Sequence, residues 1–436
     1  MKTLGKREKI GVIGGAVLIG IILTALVMRP VKVAEAFEQM GICIHKYLDY
    51  EFAPEHVRQL VTEDMSRSRV IMWDTKDLVE DPVVELKRVS GENEQIIQVD
   101  AVSERFVEGE SVRYLYKATL NNLVPNTEYV FRVGSGLYLS SWYKLKTGDD
   151  KSVKAIIFPD SSSQTYIKWR DLAQGAFARN PDAAFFANLG NLVNNGASIA
   201  EWTSWLNGAG SLLHNVPFAP LDGSVGILDT DWHKQPQEVF NHLFSWPHQG
   251  NGIMRAPFYS FDYGDVHFVV IDTQLEEMPG NVRELAKQRQ LAWLKEDLQQ
   301  TLKKWKVVLM YRDSLSYVNQ ASDTLNGSFS ETGKIFMPYF DEGKVDLVLS
   351  GQLQVYRRRG HIEGFERSQK GPFYIVAGKA GDMNVSENWG PHVFDEYSLP
   401  ANSEQNYLVL NQSGNELRIS AYFMNGEKFD QIVLTK

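Results

Sequence analysis

Cysteine is nearly absent: Cys43 stands alone among 436 residues. A single thiol excludes an internal disulfide and any cysteine-rich metal site. Positive charge is also in short supply. Asp and Glu number 54 against 45 Lys and Arg, a net charge of −9. The chain therefore lacks the basic excess that phosphate-backbone recognition needs, and no nucleic-acid partner is expected. It contains no internal repeat and no low-complexity tract. What remains is an ordinary globular composition, 43% hydrophobic and 23% charged, with length for about two or three domains.

The N-terminus carries the clearest local signal. Ile10–Met28 is an uncharged run of 19 residues rich in Ile, Val, Leu and Gly, long enough to cross a hydrocarbon core of about 30 Å. Lys2, Lys6, Arg7 and Lys9 precede it; Arg29 and Lys32 follow. The basic excess on the leading side predicts a cytoplasmic N-terminus and an extracytoplasmic bulk. Ala34-Glu35-Ala36 supplies the alternative, a signal peptide cut near Ala36 and a secreted product. The apolar run exceeds a usual signal h-region, and Arg29 and Lys32 interrupt the cleavage region, which favours an uncleaved single-pass anchor over residues 1–32.

Residues 33–51 read as a connector. Over 52–147, short runs rich in β-branched and aromatic residues (Val57–Thr62, Arg69–Trp73, Val83–Lys87, Tyr114–Leu120, Glu128–Val133, Trp142–Thr147) alternate with turn signals. That pattern predicts a small β-sandwich of the fibronectin type III kind, with no catalytic His/Asp/Glu cluster of its own. Over 153–436 strands and helices alternate, predicting an α/β domain of mixed sheets flanked by helices. Trp169–Arg179 is an expected helix. Leu285–Trp305 is a second, with a stripe of Leu291, Leu294, Leu298 and Leu302 that reads as core. Trp202 and Trp205 read as buried packing. His267 reads as a packed strand residue.

Five polar clusters follow predicted strands: Phe158-Pro159-Asp160, Gly190-Asn191, Leu221-Asp222-Gly223-Ser224-Val225, Tyr311-Arg312-Asp313 and Ser350-Gly351-Gln352-Leu353-Gln354. Ligands in α/β proteins sit outside the carboxyl ends of strands, so these loops are the place to look for chemistry. The loop Gly190–Gly196 has the outline of a metal loop, yet its polar side chains Asn191, Asn194 and Asn195 are amides.

From about His56 to Lys436 the chain resembles the calcineurin-like metallophosphoesterases, in particular a bacterial branch with a purple acid phosphatase-type N-terminal domain. The matching text includes Ser68-Arg69-Val70-Ile71-Met72-Trp73, Asn122-Leu123-Val124-Pro125-Asn126-Thr127, Tyr259-Ser260-Phe261-Asp262-Tyr263-Gly264-Asp265-Val266-His267-Phe268 and Gly378-Lys379-Ala380-Gly381. The resemblance implies a phosphate-ester hydrolase with two metals such as Fe, Zn or Mn, which activate water and clamp the phosphoryl oxygens. It also implies ligands: an Asp after the first strand, G-D-x-x-[DY], G-N-H-E, a single His and G-H-x-H.

Placed on this chain, those positions are largely substituted. Asp160 matches the first Asp. Asn191 stands for the bridging Asp, and Asn194 lies three further on. Gly223 is kept, but Ser224 and Val225 replace the Asn and His. Tyr311 replaces the single His, and Gln352 and Gln354 replace the last pair. Amide oxygens are weak donors for transition metals, and the loss of one carboxylate and several imidazoles removes the charge balance. The expectation is a family fold with no bound metal and no family catalysis, a pseudophosphatase serving as a binding or scaffold module for a protein partner in the envelope. Two alternatives stand beside it: an active phosphoesterase with an altered mono-metal site at Asp160, and a phosphate-ester sensor. The sensor would use Arg312, Arg357 and Arg358, with Arg359 and His361 nearby, as an anion patch; the plainer reading of these charges is a solvated strand end. A relocated metal site near Asp222, Asp229, Asp231 and His233 is a further alternative; the plainer reading is that they cap turns and face solvent.

Overall fold

Two sheets stand face to face in the larger part of the molecule, and the strand-end clusters lie where their strands stop. The computed structural model describes residues 51–89, 95–109, 111–149, 151–224, 238–248, 258–278, 280–317, 327–383, 390–400 and 402–436. The expected span Ile10–Met28, the cleavage point near Ala36, Cys43, Val225, Asp229, Asp231 and His233 lie outside the described residues. No described helix is long and apolar enough to cross a membrane.

In the first sheet the strand Ser152–Phe158 runs parallel to Phe185–Asn188, which runs parallel to Phe218–Ala219. The hairpins of Asn406–Thr435 extend its other edge in antiparallel pairing. In the second sheet Val266–Val270, Trp305–Met310, Leu347–Ser350 and Phe373–Ala377 are mutually parallel. Side chains alternate along each strand. Val307 and Leu309 therefore join the core between the sheets, with Phe268 and Leu347. Val308 and Met310 join a second core under the helices, with Leu294, Leu298, Phe336 and Phe340. Phe185 from the first sheet meets Phe268 of the second edge-on, with centroids 4.8 Å apart. Helices Ile167–Arg179 and Ile199–Asn215 pack beside the first sheet, where Trp169 stacks on Trp205 at 5.3 Å. Both Trp202 and Trp205 are buried. Helices Gly280–Gln300 and Glu331–Glu342 cover the second sheet.

The long helix ends at Gln300, not Trp305. Trp305 pairs with Val266 to start a parallel strand, so the chain must leave the helix before it. The apolar stripe stops at Leu298, and Leu302 is 99% exposed. The sequence reading did not assign Ile199–Asn215, although Ser198 and Glu201 carry a capping-box spacing. Strands Ile97–Asp100 and Val102–Glu108 were also unassigned. Each lies at a sheet edge and is mostly exposed, so it shows little hydrophobic alternation.

Residues 55–146 form strands in two sheets, in keeping with a sandwich. One of those sheets continues into the α/β part, because Leu60 pairs in parallel with Phe218. Side chains reinforce that seam: Arg58 Nε donates to the Leu243 carbonyl at 2.7 Å, and Gln59 Nε2 donates to the Lys144 and His214 carbonyls at 2.7 and 2.8 Å. The sandwich does gather one acidic-histidine group, Glu55, His56 and Asp74. Arg113 bonds both Glu55 and Asp74, while Arg58 and His56 also face Asp74. Two guanidinium groups in that cluster make it an ion-pair knot rather than a cation site.

His267 illustrates how a strand charge is held. It is buried on Val266–Val270, with Nδ1 2.8 Å from Asp262 and Nε2 2.8 Å from Asp297 on the long helix. Burial alone would lower its pKa, but the two carboxylates outweigh this and push it up to about 9. A raised histidine pKa contributes stability that is complete below the unfolded value and is lost as pH rises through the folded one. His267→Gln is expected to cost roughly 2 kcal/mol at about pH 6, at the low end for a buried pair because Asp262 is partly exposed. The cost should shrink at about pH 10. Urea unfolding at the two pH values checks this; an equal cost at both would remove the charge from the explanation.

Candidate functional site

Strand alternation decides which side chains meet. Val307, Leu309 and Tyr311 share the face turned to the first sheet, so Tyr311 reaches the inter-sheet end while Arg312 turns away. Opposite it, the loop after Phe185–Asn188 bends through Gly190 (φ 92°) and Asn191 (φ 46°). A Cβ on Gly190 would lie 2.6 Å from the Tyr311 ring. Glycine therefore lets the ring lie directly on the loop. Likewise, a Cβ on Gly223 would lie 2.1 Å from the Asn191 backbone nitrogen. The loops are closed on one another, not spread around an open space.

Asp160 is the centre of the resulting knot and is buried. Its Oδ1 accepts from the Ser162 backbone N–H at 3.0 Å and from the Ser162 hydroxyl at 2.5 Å. Its Oδ2 accepts from Asn191 Nδ2 at 3.0 Å and Gln354 Nε2 at 2.9 Å. Asn191 Nδ2 also donates to the Tyr311 hydroxyl at 2.5 Å. Ser224 Oγ lies 3.5 Å from Asn191 Oδ1 and 3.4 Å from the Tyr311 hydroxyl. Thus Asp160, Asn191, Ser224, Tyr311 and Gln354, drawn from five separate loops, form one connected network.

Two expected positions stay outside it. Gln352 Oε1 accepts from the Asp313 backbone N–H at 3.1 Å. Asn194 Nδ2 donates to the Ser163 carbonyl at 2.5 Å. The arginines face carboxylates. Arg312 pairs with Glu277. Arg357 lies 2.5 Å from Asp395, and Arg358 lies 2.6 Å from Asp430. Arg357 and Arg358 are consecutive on a strand and so point to opposite faces. Arg359 is buried against Asp313 at 2.8 Å. His361 Nδ1 faces the Gly371 carbonyl at 2.7 Å.

Sequence reasoning missed several contributors. Ser162 fills one side of Asp160, and the run Asp160-Ser161-Ser162-Ser163 was the available signal. Glu201 receives the Asn194 backbone N–H at 2.7 Å and the Tyr166 hydroxyl at 2.8 Å, holding the amide loop from below. Asp272, just past Val266–Val270, carried no motif.

The electrostatics follow from burial. Desolvation pushes Asp160 up to about 6 against the pull of its donors Ser162, Gln354 and Asn191. Asp222, expected to face solvent, is instead buried behind the Gly223 loop; it is pushed up to about 8, first by burial and further by the charge of Asp272. Asp272 is pushed up to about 6 by burial, against Arg312. Tyr311 is held well above the ordinary phenol value, first by burial and then by Asp160.

Residues 54–147 match the family model described as "Purple acid Phosphatase, N-terminal domain". A solved purple acid phosphatase from yellow lupin (Lupinus luteus) seeds superposes with a TM-score of 0.73 at 17% identity, covering 88% of this chain and 74% of that one. Residues 54–147 thus carry a purple acid phosphatase-type N-terminal domain, and the chain shares its fold with that solved protein. An uncharacterized protein of Mycobacterium tuberculosis is 24% identical over 332 residues, 69% of this chain; the chain spans 61% of that relative's length. An Arabidopsis thaliana relative named "Probable inactive purple acid phosphatase 27" is 23% identical over 320 residues, covering 62% of this chain and 49% of that one.

The two-metal centre that the metallophosphoesterase resemblance implies needs free carboxylate and imidazole lone pairs. Here both Asp160 oxygens already accept donors, and the amides of Asn191 and Gln354 turn N–H groups, not oxygens, toward it. A carboxylate fixes that amide orientation, since only the NH2 end can donate to it. The described residues at these positions do not fit two metals.

Two tests follow. Gly190→Ala is expected to cost roughly 2–4 kcal/mol, from the clash with Tyr311 and the positive φ, whereas Tyr311→Phe should cost about 1–2 kcal/mol for the lost bonds to Asn191 and Ser224; urea midpoints read both. In chelated buffer, acids whose folded pKa is raised stabilise the fold most below their unfolded value and lose that contribution as pH rises through the folded one. Stability should therefore fall between about pH 4 and pH 8, and Asp222→Asn should flatten the upper part of that slope. An unchanged slope in the variant would exclude Asp222 as its source.

Proposed function

We propose that the chain is a pseudophosphatase: a purple acid phosphatase-type fold without two-metal hydrolysis, serving as a binding or scaffold module. One observation carries this reading. Asn191, at the position of the metal-bridging carboxylate, donates its amide hydrogens to Asp160 and Tyr311. A metal at that place would have to displace bonded N–H groups and would meet a single carboxylate. Tyr311, with its pKa held high, and Ser224 offer no base to activate water at neutral pH. The "Probable inactive" name of the plant relative is consistent with loss of activity within this family. The uncharged run 10–28 between basic flanks supports attachment to a membrane with the folded part on its outer side. A phosphate-ester sensor on Arg312, Arg357 and Arg358 is not favoured, because each guanidinium faces a carboxylate.

The test is elemental analysis of the purified chain with an aryl phosphate assay under added Mn2+, Zn2+ and Fe2+. No stoichiometric transition metal and no metal-dependent turnover are expected. One or more tightly held equivalents, or turnover that a chelator abolishes, would overturn the proposal. The combined variant Asn191→Asp, Ser224→Asn, Val225→His, Tyr311→His, Gln352→His and Gln354→His should regain transition-metal binding if the family positions are correctly matched.

A further inference from the structure

Where the parallel strands of the second sheet begin, at the end away from Tyr311, lysines gather around one exposed leucine. Leu302 lies between the long helix and the strand Trp305–Met310 and is 99% exposed. Lys303 and Lys304 follow it directly. Their ammonium groups are held by neutral oxygens. Lys303 Nζ donates to the Gly264 carbonyl at 2.7 Å, and Lys304 Nζ donates to the Gly414 carbonyl at 3.3 Å and to the Asn415 side chain. Lys436 Nζ donates to the Lys304 carbonyl at 2.5 Å. Lys306 Nζ donates to the Leu298 and Gly343 carbonyls at 2.6 and 2.9 Å, and Lys344 is the residue after Gly343. These contacts bring five lysines from three stretches of the chain to one corner.

Carboxylates are too few to cancel these charges. Asp346 pairs with Lys436 at 2.7 Å, and Asp262 lies 4.0 Å from Lys303 but already faces His267. Glu416 pairs with Arg418, and Glu342 pairs with Lys295. Among the described residues no acid pairs with Lys304, Lys306 or Lys344. Burial, and then the charge of Lys436, lower the pKa of Lys306, in keeping with crowded like charges. The corner is therefore positive on a chain whose net charge is −9. Attraction there and repulsion elsewhere would orient an anionic partner. Leu302 narrows the class of that partner. An apolar side chain standing wholly in water gains by entering an apolar phase, which a free phosphate or a soluble polyanion does not offer. Lysines suit such a boundary, because the stem can lie along apolar surface while the ammonium stays at the headgroups.

We propose that this corner docks on an anionic lipid surface, with Leu302 entering at the headgroup boundary and Lys303, Lys304, Lys344 and Lys436 facing the lipid phosphates. Docking holds the folded part in one orientation and leaves the Asp160 network, beyond the other end of the strands, turned away from the lipid. It depends neither on whether the run 10–28 anchors the chain nor on the pseudophosphatase reading.

The test uses the full chain carrying Cys43→Ser and Leu302→Cys, labelled at the new thiol with an apolar, environment-sensitive dye. The exposure of Leu302 lets the label sit there without disturbing the core. Emission is read with vesicles of phosphatidylcholine alone and of phosphatidylcholine mixed equally with phosphatidylglycerol. It should move to the blue on the mixed vesicles only, and high salt should reverse the shift by screening the charges. Lys304→Gln and Lys344→Gln should each lower the docked-to-free ratio roughly five-fold, the scale of one lysine at an anionic surface. Lys168→Gln, on the helix Ile167–Arg179 beside the first sheet, should leave it unchanged. In the unlabelled chain, mixed vesicles should shield Lys304 and Lys344 from acetylation, and Leu302→Ser should reduce that shielding. No shift on mixed vesicles, an equal shift on both kinds, indifference to the two lysine variants, or shielding that Leu302→Ser leaves intact overturns the proposal. A shift with soluble polyglutamate but not with vesicles also rejects it, in favour of an acidic protein partner. The pseudophosphatase reading fails separately, through stoichiometric transition metal or turnover.

Discussion

Asn191 Nδ2 bridges Asp160 and Tyr311, and the closed form of the site depends on that one amide. An aspartate at the same place would set a second carboxylate against Asp160 and would require a cation or a proton between them. The amide instead donates where a carboxylate would repel. Once Asn191 donates, Gln354 completes the same oxygen of Asp160, Tyr311 can lie on Gly190, and Ser224 can close from the third loop. Each substitution is therefore coupled to the others through shared hydrogen bonds, and buried polar networks are stable only when their members are satisfied together.

The same count of donors separates two groups of buried acids. Around Asp160 the inventory of donors and acceptors closes. Around Asp222 and Asp272 it does not, and the acids stand with unmet oxygens at the ends of two facing sheets. The scaffold that carries both groups is the shared sheet and core: parallel strands whose carboxyl ends align, packed through Phe185 and Phe268.

Much of the architecture was legible in the sequence. The helix over Trp169–Arg179 and the buried strands before each polar cluster have strong local patterns. Exposed edge strands were not legible, because Ile97–Asp100 and Val102–Glu108 have no buried face to enforce alternation. The helix end at Gln300 was missed because Leu302 continues the apolar spacing, while the parallel pairing of Trp305 with Val266 dictates the break. The seam between sandwich and α/β part was invisible for a related reason: a pair between Leu60 and Phe218 has no local sequence signature.

Sequence alone determined which groups stand at the strand ends: one carboxylate at Asp160, with amides, a hydroxyl and a phenol at Asn191, Gln352, Gln354, Ser224 and Tyr311. Only the tertiary structure decided what those groups do with one another. It sent Gln354 to Asp160 but Gln352 to a backbone N–H, set Arg357 and Arg358 each against a carboxylate, and left one oxygen of Asp222 and one of Asp272 without a donor. The physical reason is that residue identity specifies how many hydrogen bonds a side chain can donate or accept, whereas the partner is chosen by strand alternation and by loop backbones whose glycines permit close approach.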